Sequence, residues 1–195
     1  DHRAAAVSST IMLSSVRKVL LAIAFPSACA MMAPLPRTAV IIGLEMAAGD
    51  FVEQKVERLP WDAQRSLRLG ATGMLTTGPL AHMLFTQLES VWPGTSLSAV
   101  TSKVAGNAAF MPIMIGATLS TAWALEGRSV ADIRSSLHDQ LLPSIRTAFL
   151  FWPAVNCFLF RCVTPASRPI ISSGFGGLWG VYLSYKTHLP LVASK

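Results

Sequence analysis

Long apolar runs that carry almost no charge constrain the fold of this chain most strongly. Residues 69–88 and 104–125 contain no Asp, Glu, Lys or Arg. Charged residues make up 13% of the chain, whereas an ordinary soluble domain carries about 25%. Because a backbone in lipid must form its hydrogen bonds within its own segment or in a closed sheet, runs longer than a barrel strand favour helices. The sequence therefore predicts an all-α, polytopic transmembrane helical bundle.

Prolines, glycines and charged stretches divide this bundle into four to five membrane segments. The predicted segments are residues 38–56, 69–91, 99–125, 141–163 and 168–186. Residues 53–68 have the composition of a loop, and Trp92, Pro93 and Gly94 form an interfacial turn. Residues 129–142 place apolar side chains at helical spacing, which predicts a separate amphipathic surface helix before the fourth segment. The bundle, residues 34–195, is treated as one domain that follows a basic extension, residues 1–33.

The amino-terminal extension has the composition of an organellar import region. Residues 2–44 contain no acidic residue, and Arg3, Arg17 and Lys18 lie among Ser and Ala. Residues 11–32 form either an interfacial helix or a membrane span, and their composition leaves both open. The formal net charge of +6 is spread between the apolar segments rather than gathered on one face, so nucleic acid is not an expected partner. Membrane lipid is the expected surrounding.

No chemical signature of an enzyme is present in the sequence. The chain lacks a phosphate-binding glycine loop, a G-x-S-x-G turn and a His-rich metal helix. Cys29, Cys157 and Cys162 form no C-x-x-C pair, and we expect them to be buried free thiols. We therefore expect a protein without catalytic residues, cofactor or bound metal.

Small residues recur at every fourth position in two of the predicted segments, which allows close packing of membrane helices. The longer row, in the last segment, is Ser172, Gly176, Gly180 and Ser184, and the shorter row, in the first, is Ala39, Gly43 and Ala47. The favoured interpretation is helix packing inside one bundle. The alternative is that the longer row faces another protein.

Six polar residues in or near the apolar segments are candidates for a pore or an intramembrane polar site. They are Glu45, Asp50, Gln54, His82, Asn107 and Arg161. A charged carboxylate at the position of Glu45 costs several kcal/mol in lipid, so it must be neutral, paired or facing water. Its function could be a pore, proton or partner contact, and the alternative is a protonated or hydrogen-bonded acid that faces the bundle. His82, Asn107 and Arg161 are its candidate partners.

Asp50 and Gln54, four residues apart, share one helix face at the end of the first segment. Asp50 is expected to pair with Arg65 or Arg68, which favours a helix-end anchor over a gate. His82 is expected to be a satisfied buried histidine. Arg161 is expected either to extend to a lipid headgroup or to pair with an intramembrane acid.

From Pro34 onward, the order and spacing of many residues resemble one family of membrane proteins. The matching residues are Pro34, Gly49-Asp50 with Gln54, Trp61 with Arg65, Gly73, Gly78-Pro79 with His82, Pro93-Gly94-Thr95, Lys103, Pro112, Trp152-Pro153-Ala154-Val155, Arg168, and Trp179 with Tyr182-Leu183-Ser184. Together they resemble the family of Mpv-seventeen and the twenty-two-kilodalton peroxisomal membrane protein. The resemblance implies about four membrane spans, no catalytic centre, and a role as a channel or in metabolite homeostasis. It favours the mitochondrial inner membrane, with peroxisomal and plastid membranes as alternatives.

Several polar positions of that family are apolar or neutral in this chain. Asn107 and Ala108 stand where the family usually carries an Asp-Gln pair, and Leu84 and Phe85 stand where it usually has Trp-Tyr. A pore lined in this way would be drier and less charged than one lined by the residues that the family usually carries. The sequence therefore predicts a structural or accessory subunit of a larger membrane complex with other membrane-protein subunits as partners, and the alternative is a solute- or ion-conducting channel.

Overall fold

Helices make up almost all of the described chain in the computed structural model. It describes residues 37–188, and over residues 180–188 the backbone alone. The predicted all-α class is confirmed. The basic extension 1–33, the helix predicted for residues 11–32 and Cys29 lie outside the described residues.

Six α-helices follow one another along the described residues. They are α1 (Arg37–Val56), α2 (Ala63–Thr72), α3 (Gly78–Val91), α4 (Leu97–Leu125), α5 (Val130–Cys162) and α6 (Arg168–His188). A π-helical turn, Gly73–Thr77, joins α2 to α3, so that these two form one continuous helix, and a 3₁₀ turn, Pro165–Ser167, precedes α6. The first, third and fifth predicted segments therefore match α1, α4 and α6 closely.

Capping side chains explain where three of the helices begin. The Asp62 carboxylate accepts hydrogen bonds from the backbone N–H groups of Gln64 and Arg65 at the start of α2. Ser96 accepts one from Ala99 at the start of α4, and Ser129 caps α5 in the same way. Such caps satisfy N–H groups that have no partner within the helix. The turn before α4 also contains Gly94, whose φ of 84° favours glycine.

Two predicted boundaries are wrong. Residues 53–68 are not one loop, because α1 continues to Val56 and the Asp62 cap starts α2 at Ala63. Residues 129–142 and 141–163 are not two helices but the single helix α5, which contains Pro143 and Pro153. Proline removes one backbone hydrogen bond, but Pro143 lies where α5 is exposed, so the carbonyl it leaves free can reach other partners.

The bundle is assembled around α1, which packs against α2, the π turn, α3 and α6, while α4 and α5 pack along each other. Apolar side chains from α1, α3, α4 and α5 form the core. Its buried members include Ile42, Phe85, Leu88, Phe110, Leu159 and Phe160. Two hydroxyl pairs, Thr76 with Thr121 and Thr77 with Thr118, join the π turn to α4. By length and composition, one helix of the described chain, α4, could cross a membrane.

Glycines bring the backbone of α1 into contact with the helix formed by α2 and α3. A Cβ atom placed on Gly73 would lie 2.8 Å from the Cα of Gly43, and one on Gly78 would lie 2.6 Å from the Cα of Ala39. The shorter small-residue row predicted in the first segment therefore does pack against another helix. The residues that this row contacts are Gly70, Gly73 and Gly78. We call these contacts the glycine seam.

Gly73→Ala is expected to lower the free energy of unfolding by about 1–3 kcal/mol, because the new methyl group must push two backbones apart. Gly174→Ala is the matched control. A Cβ atom at Gly174 would meet nothing within 4 Å, and alanine favours a helix over glycine by about 1 kcal/mol. Thermal unfolding in detergent measures both. Equal melting temperatures for the two variants would contradict the close packing.

Candidate functional site

The first polar cluster, named the Asp50 cluster, joins the end of α1 to the start of α2. It consists of Asp50, Gln54, Arg65 and Ser66. Arg65 Nε lies 2.7 Å from Asp50 Oδ1, while Gln54 Nε2 and Ser66 Oγ donate to Asp50 Oδ2 at 2.6 and 2.7 Å. The side chain of Asp50 is fully buried, so these contacts compensate its charge.

The predicted ion pair of Asp50 is formed with Arg65, and Arg68 instead approaches Asp62. Gln54 also accepts a hydrogen bond from the backbone N–H of Asp62 at 2.6 Å, which ties the α1–α2 loop to the same cluster. The predicted shared face of Asp50 and Gln54 is confirmed by their direct hydrogen bond. This geometry is that of a helix-end anchor.

A second polar cluster, named the Glu89 cluster, joins α3, α4 and α6. It consists of Glu89, Lys103, Arg168 and Phe160. Lys103 Nζ donates to Glu89 Oε2 at 2.5 Å and to the carbonyl of Gly94 at 2.7 Å, and Arg168 Nη1 donates to the same Glu89 oxygen. Both cations lie over the Phe160 ring, at 5.7 and 5.4 Å from its centroid. One carboxylate thus compensates two buried cations.

The sequence pattern does not single out Glu89. Lys103 and Arg168 stand out in the sequence only through the family resemblance, and both are almost completely buried in the structure. Buried cations need a carboxylate partner. This requirement is the signal that could have pointed to Glu89, which lies just before the Trp-Pro-Gly turn.

The two polar clusters lie at opposite ends of one continuous helix. Ser66 belongs to the Asp50 cluster and Glu89 to the other, and the helix between them rises 1.5 Å per residue. The clusters are therefore about 35 Å apart, which is close to the roughly 30 Å of a bilayer's hydrocarbon core.

A cavity of about 350 Å³, named the central cavity, lies inside the bundle. Residues from all six helices line it. Because Asp50 is one of these residues, the central cavity lies next to the Asp50 cluster. Its polar lining includes Glu45, Asn107, Asn156, Ser172 and Ser173, and its apolar lining includes Phe85, Met111 and Trp152. The volume lies in the range of pockets that take small organic ligands.

Among the described residues, three polar atoms of the central cavity are buried with neither a hydrogen-bond partner nor an ion-pair partner, whereas Asp50 Oδ1 has the ion pair with Arg65. The three atoms are Glu45 Oε2, Asn156 Oδ1 and Ser173 Oγ. The amide nitrogen of Asn156 donates to Asn107 Oδ1 at 2.9 Å, which leaves the Asn156 carbonyl oxygen unpartnered. A buried polar atom without a partner costs free energy, so these atoms indicate a place that an occupant can fill.

Acidic groups dominate the charge of the central cavity. Its lining includes Glu45, Asp50 and Glu53 but, within the described part of the chain, no Lys, Arg or His. Arg65 compensates Asp50 at 2.7 Å and also approaches Glu53 at 3.5 Å. The cavity consequently favours cations over anions.

The structure brings together only some of the predicted site residues. Of the candidate partners of Glu45, Asn107 lines the same cavity, whereas His82 and Arg161 do not. His82 is exposed rather than buried, because it points away from the face on which Ala81, Leu84 and Phe85 are buried. It lines a second cavity of about 300 Å³ beside Glu89. Arg161 donates to the backbone carbonyl of Thr95 at 2.6 Å.

The longer small-residue row contributes to the central cavity through Ser172 and Gly176. Gly180 and Ser184 continue the row in α6, beyond the residues whose side chains are described. Helix α6 approaches α1 at Gly177. A Cβ atom placed on Gly49 of α1 would lie 3.8 Å from the Cα of Gly177. A partner-facing role for the row stays a prediction.

The expectation of buried thiols is wrong for two of the three cysteines. Cys157 and Cys162 are free and exposed, because they lie off the α5 face that buries Val155, Asn156 and Leu159. Among the described residues, no group of three or more His, Cys, Asp or Glu side chains is placed to hold a metal ion.

Comparisons with known proteins give matches to one family. The model of the Mpv17 / PMP22 family matches residues 124–184. The mitochondrial inner membrane protein Mpv17 of Bos taurus is 28% identical over 151 residues, covering 75% of this chain and 86% of that protein. PXMP2/4 family protein 2 of Dictyostelium discoideum is 23% identical over 161 residues, covering 78% and 83%. Protein SYM1 of Yarrowia lipolytica is 29% identical over 143 residues, covering 71% and 66%. No solved structure matches the chain.

Glu89→Gln is expected to lower the free energy of unfolding by roughly 3 kcal/mol, because it leaves Lys103 and Arg168 buried without a counter-charge. Glu126→Gln, which affects an exposed pair with Arg128, is the matched control and should change stability by less than about 1 kcal/mol. Adding Lys103→Met to Glu89→Gln should restore part of the loss. Equal effects of Glu89→Gln and Glu126→Gln in thermal unfolding would contradict this account.

Proposed function

The chain belongs to the Mpv17 / PMP22 family of membrane proteins, and on that premise we propose that it conducts a small polar solute or ion through its central cavity. It is a protein of an organellar membrane. The mitochondrial inner membrane is the one indicated, because the relatives called Mpv17 are named as proteins of that membrane. The proposed activity is passage of a solute without catalysis or cofactor.

The proposed arrangement has four to five helices crossing the membrane. Its support beyond α4 comes from the continuous helix of α2 and α3, in which residues 69–88 carry no Asp, Glu, Lys or Arg. The Asp50 and Glu89 clusters would then lie near the two membrane surfaces, since about 35 Å of helix separates them. The central cavity would lie between those surfaces.

The unpartnered polar atoms of the central cavity carry this proposal. Lipid offers no hydrogen bonds to Glu45 Oε2, Asn156 Oδ1 or Ser173 Oγ, so an empty cavity leaves each of them uncompensated. Water or a solute in the cavity removes that cost. Intramembrane polar groups that face a cavity are typical of solute and ion pathways.

Purified protein in liposomes is expected to release small polar solutes or ions, and Glu45→Gln is expected to change the flux or its charge preference severalfold. Glu126→Gln is the matched control, because it removes the same charge from an exposed helix end outside the cavity. Flux assays on both variants and on empty liposomes measure this. No flux above that of empty liposomes would overturn the proposal.

A second candidate function is that of an accessory subunit of a larger membrane complex. The observation that favours it is the exposed amino-terminal part of α5, where Val130 and Leu142 are 83% and 53% exposed. A helix of 33 residues is about 50 Å long, longer than the hydrocarbon core needs. This part of α5 could therefore contact a neighbouring protein.

Gentle detergent extraction from the native membrane, followed by native electrophoresis and mass spectrometry, tests the accessory role. The protein is expected to migrate with other membrane subunits. Replacing Val130 with Glu should then release it, whereas Val52→Glu, on another exposed surface, should not. Migration as a monomer or a small homo-oligomer would contradict this second function.

A further inference from the structure

We propose that the central cavity binds a primary ammonium group attached to an apolar body, with Glu45, Asn156 and Ser173 as its hydrogen-bond acceptors. This inference rests on the proposed conducting function and names the class of solute. The ligand class is therefore a protonated organic amine.

The donors of a primary ammonium group match the unpartnered acceptors of the central cavity. A primary ammonium group has three N–H donors and no acceptor. Apart from Asp50 Oδ1, which Arg65 compensates, the described lining of the central cavity offers three buried oxygen atoms that lack a partner, namely Glu45 Oε2, Asn156 Oδ1 and Ser173 Oγ. Asn156 is 2% exposed, and its amide nitrogen is already engaged by Asn107, so its carbonyl oxygen faces the occupant as an acceptor.

The charged groups that line the central cavity favour a cationic ligand. The described lining carries carboxylates and no basic side chain, and Arg65 already compensates Asp50. Glu45 lies at least five residues from Asp50, Glu53 and Glu57, the carboxylates that Arg65 approaches. It contributes a carboxyl oxygen with no partner. A cation bound at Glu45 compensates a charge that the fold leaves uncompensated. An anionic solute would place two like charges together.

The rest of the cavity wall suits an organic ligand better than an inorganic cation. Hard inorganic cations such as Ca²⁺ take six to eight oxygen ligands, far more than three. The rest of the lining is largely apolar and includes Met46, Met111, Met114, Phe85 and Trp152. Thioether and aromatic groups suit an apolar body, and aromatic faces attract ammonium groups. An amine with a hydrocarbon or aromatic body uses both parts of this wall.

Binding to purified full-length protein tests the inference with three probes of similar shape. They are 2-phenylethylammonium, its N,N,N-trimethyl derivative and 3-phenylpropanoate. We expect saturable binding of the first, by calorimetry and by a rise in melting temperature. The trimethyl derivative keeps the charge but has no N–H donor, so it should bind at least tenfold more weakly. The carboxylate should not bind. This comparison uses the unaltered chain and needs no variant to fold.

Variants then assign the acceptors. Glu45→Gln and Ser173→Ala should each weaken binding of 2-phenylethylammonium, the first by at least tenfold, while Glu126→Gln should leave it unchanged. Glu45→Gln should also leave the ligand-free melting temperature unchanged or raised, since it removes a charge without a partner. Equal binding of the primary and trimethyl ammonium probes, or unchanged binding in Glu45→Gln, would overturn the inference.

The failure of this inference is distinguishable from the failure of the proposed function. Flux of other solutes without Glu45-dependent binding of the amine would overturn the inference and leave the conducting function standing. Glu45-dependent binding without flux of any solute in liposomes would support the amine site and overturn conduction. Flux of the amine itself, reduced in Glu45→Gln, would support both.

Discussion

The charge compensation at Glu89 is the interaction on which the rest of the bundle depends. A single carboxylate accepts hydrogen bonds from Lys103 of α4 and Arg168 of α6, and both cations are buried. Burying either cation there without the carboxylate would cost about 3–5 kcal/mol. The interaction therefore fixes where three helices meet. With the Asp50 cluster at the other end, it determines the positions of the helix ends, and the helices between them are free to enclose a cavity.

Packing between these two ends is uneven, and that unevenness accounts for the central cavity. The glycine seam brings α1 so close to α2 and α3 that even one methyl group would meet backbone atoms. The glycines of α6 behave differently, since a Cβ atom at Gly176 would meet only a distant atom of Trp152 and one at Gly174 would meet none. Close packing on one side and looser packing on the other leave space where Glu45 and Asn156 face inward.

The sequence predicted the helices well where apolar runs are long and uninterrupted, as in residues 104–125 of α4. It failed at residues 53–68, where charged residues resemble a loop although the Asp62 cap starts a helix. It also divided α5 near residue 142, where the helix continues through Pro143. Glu45 and Asn107 were found as polar residues in apolar runs. Glu89, Asn156 and Ser173 were not, since their importance comes from contacts between helices that are distant in sequence. The shortage of charge, which argued for a dry bundle, did not predict a polar cavity.

If the protein conducts as proposed, the central cavity admits water-soluble cations from the membrane surface and prefers them to anions. Ser173→Cys, in a chain with Cys29, Cys157 and Cys162 replaced by alanine, places a thiol of nearly the same shape in its wall. In lipid vesicles, a cationic methanethiosulfonate reagent should modify this thiol at least several times faster than an anionic one of similar size. Adding Glu45→Gln should remove most of that preference. An unreactive thiol, or equal rates for the two reagents, would contradict the account.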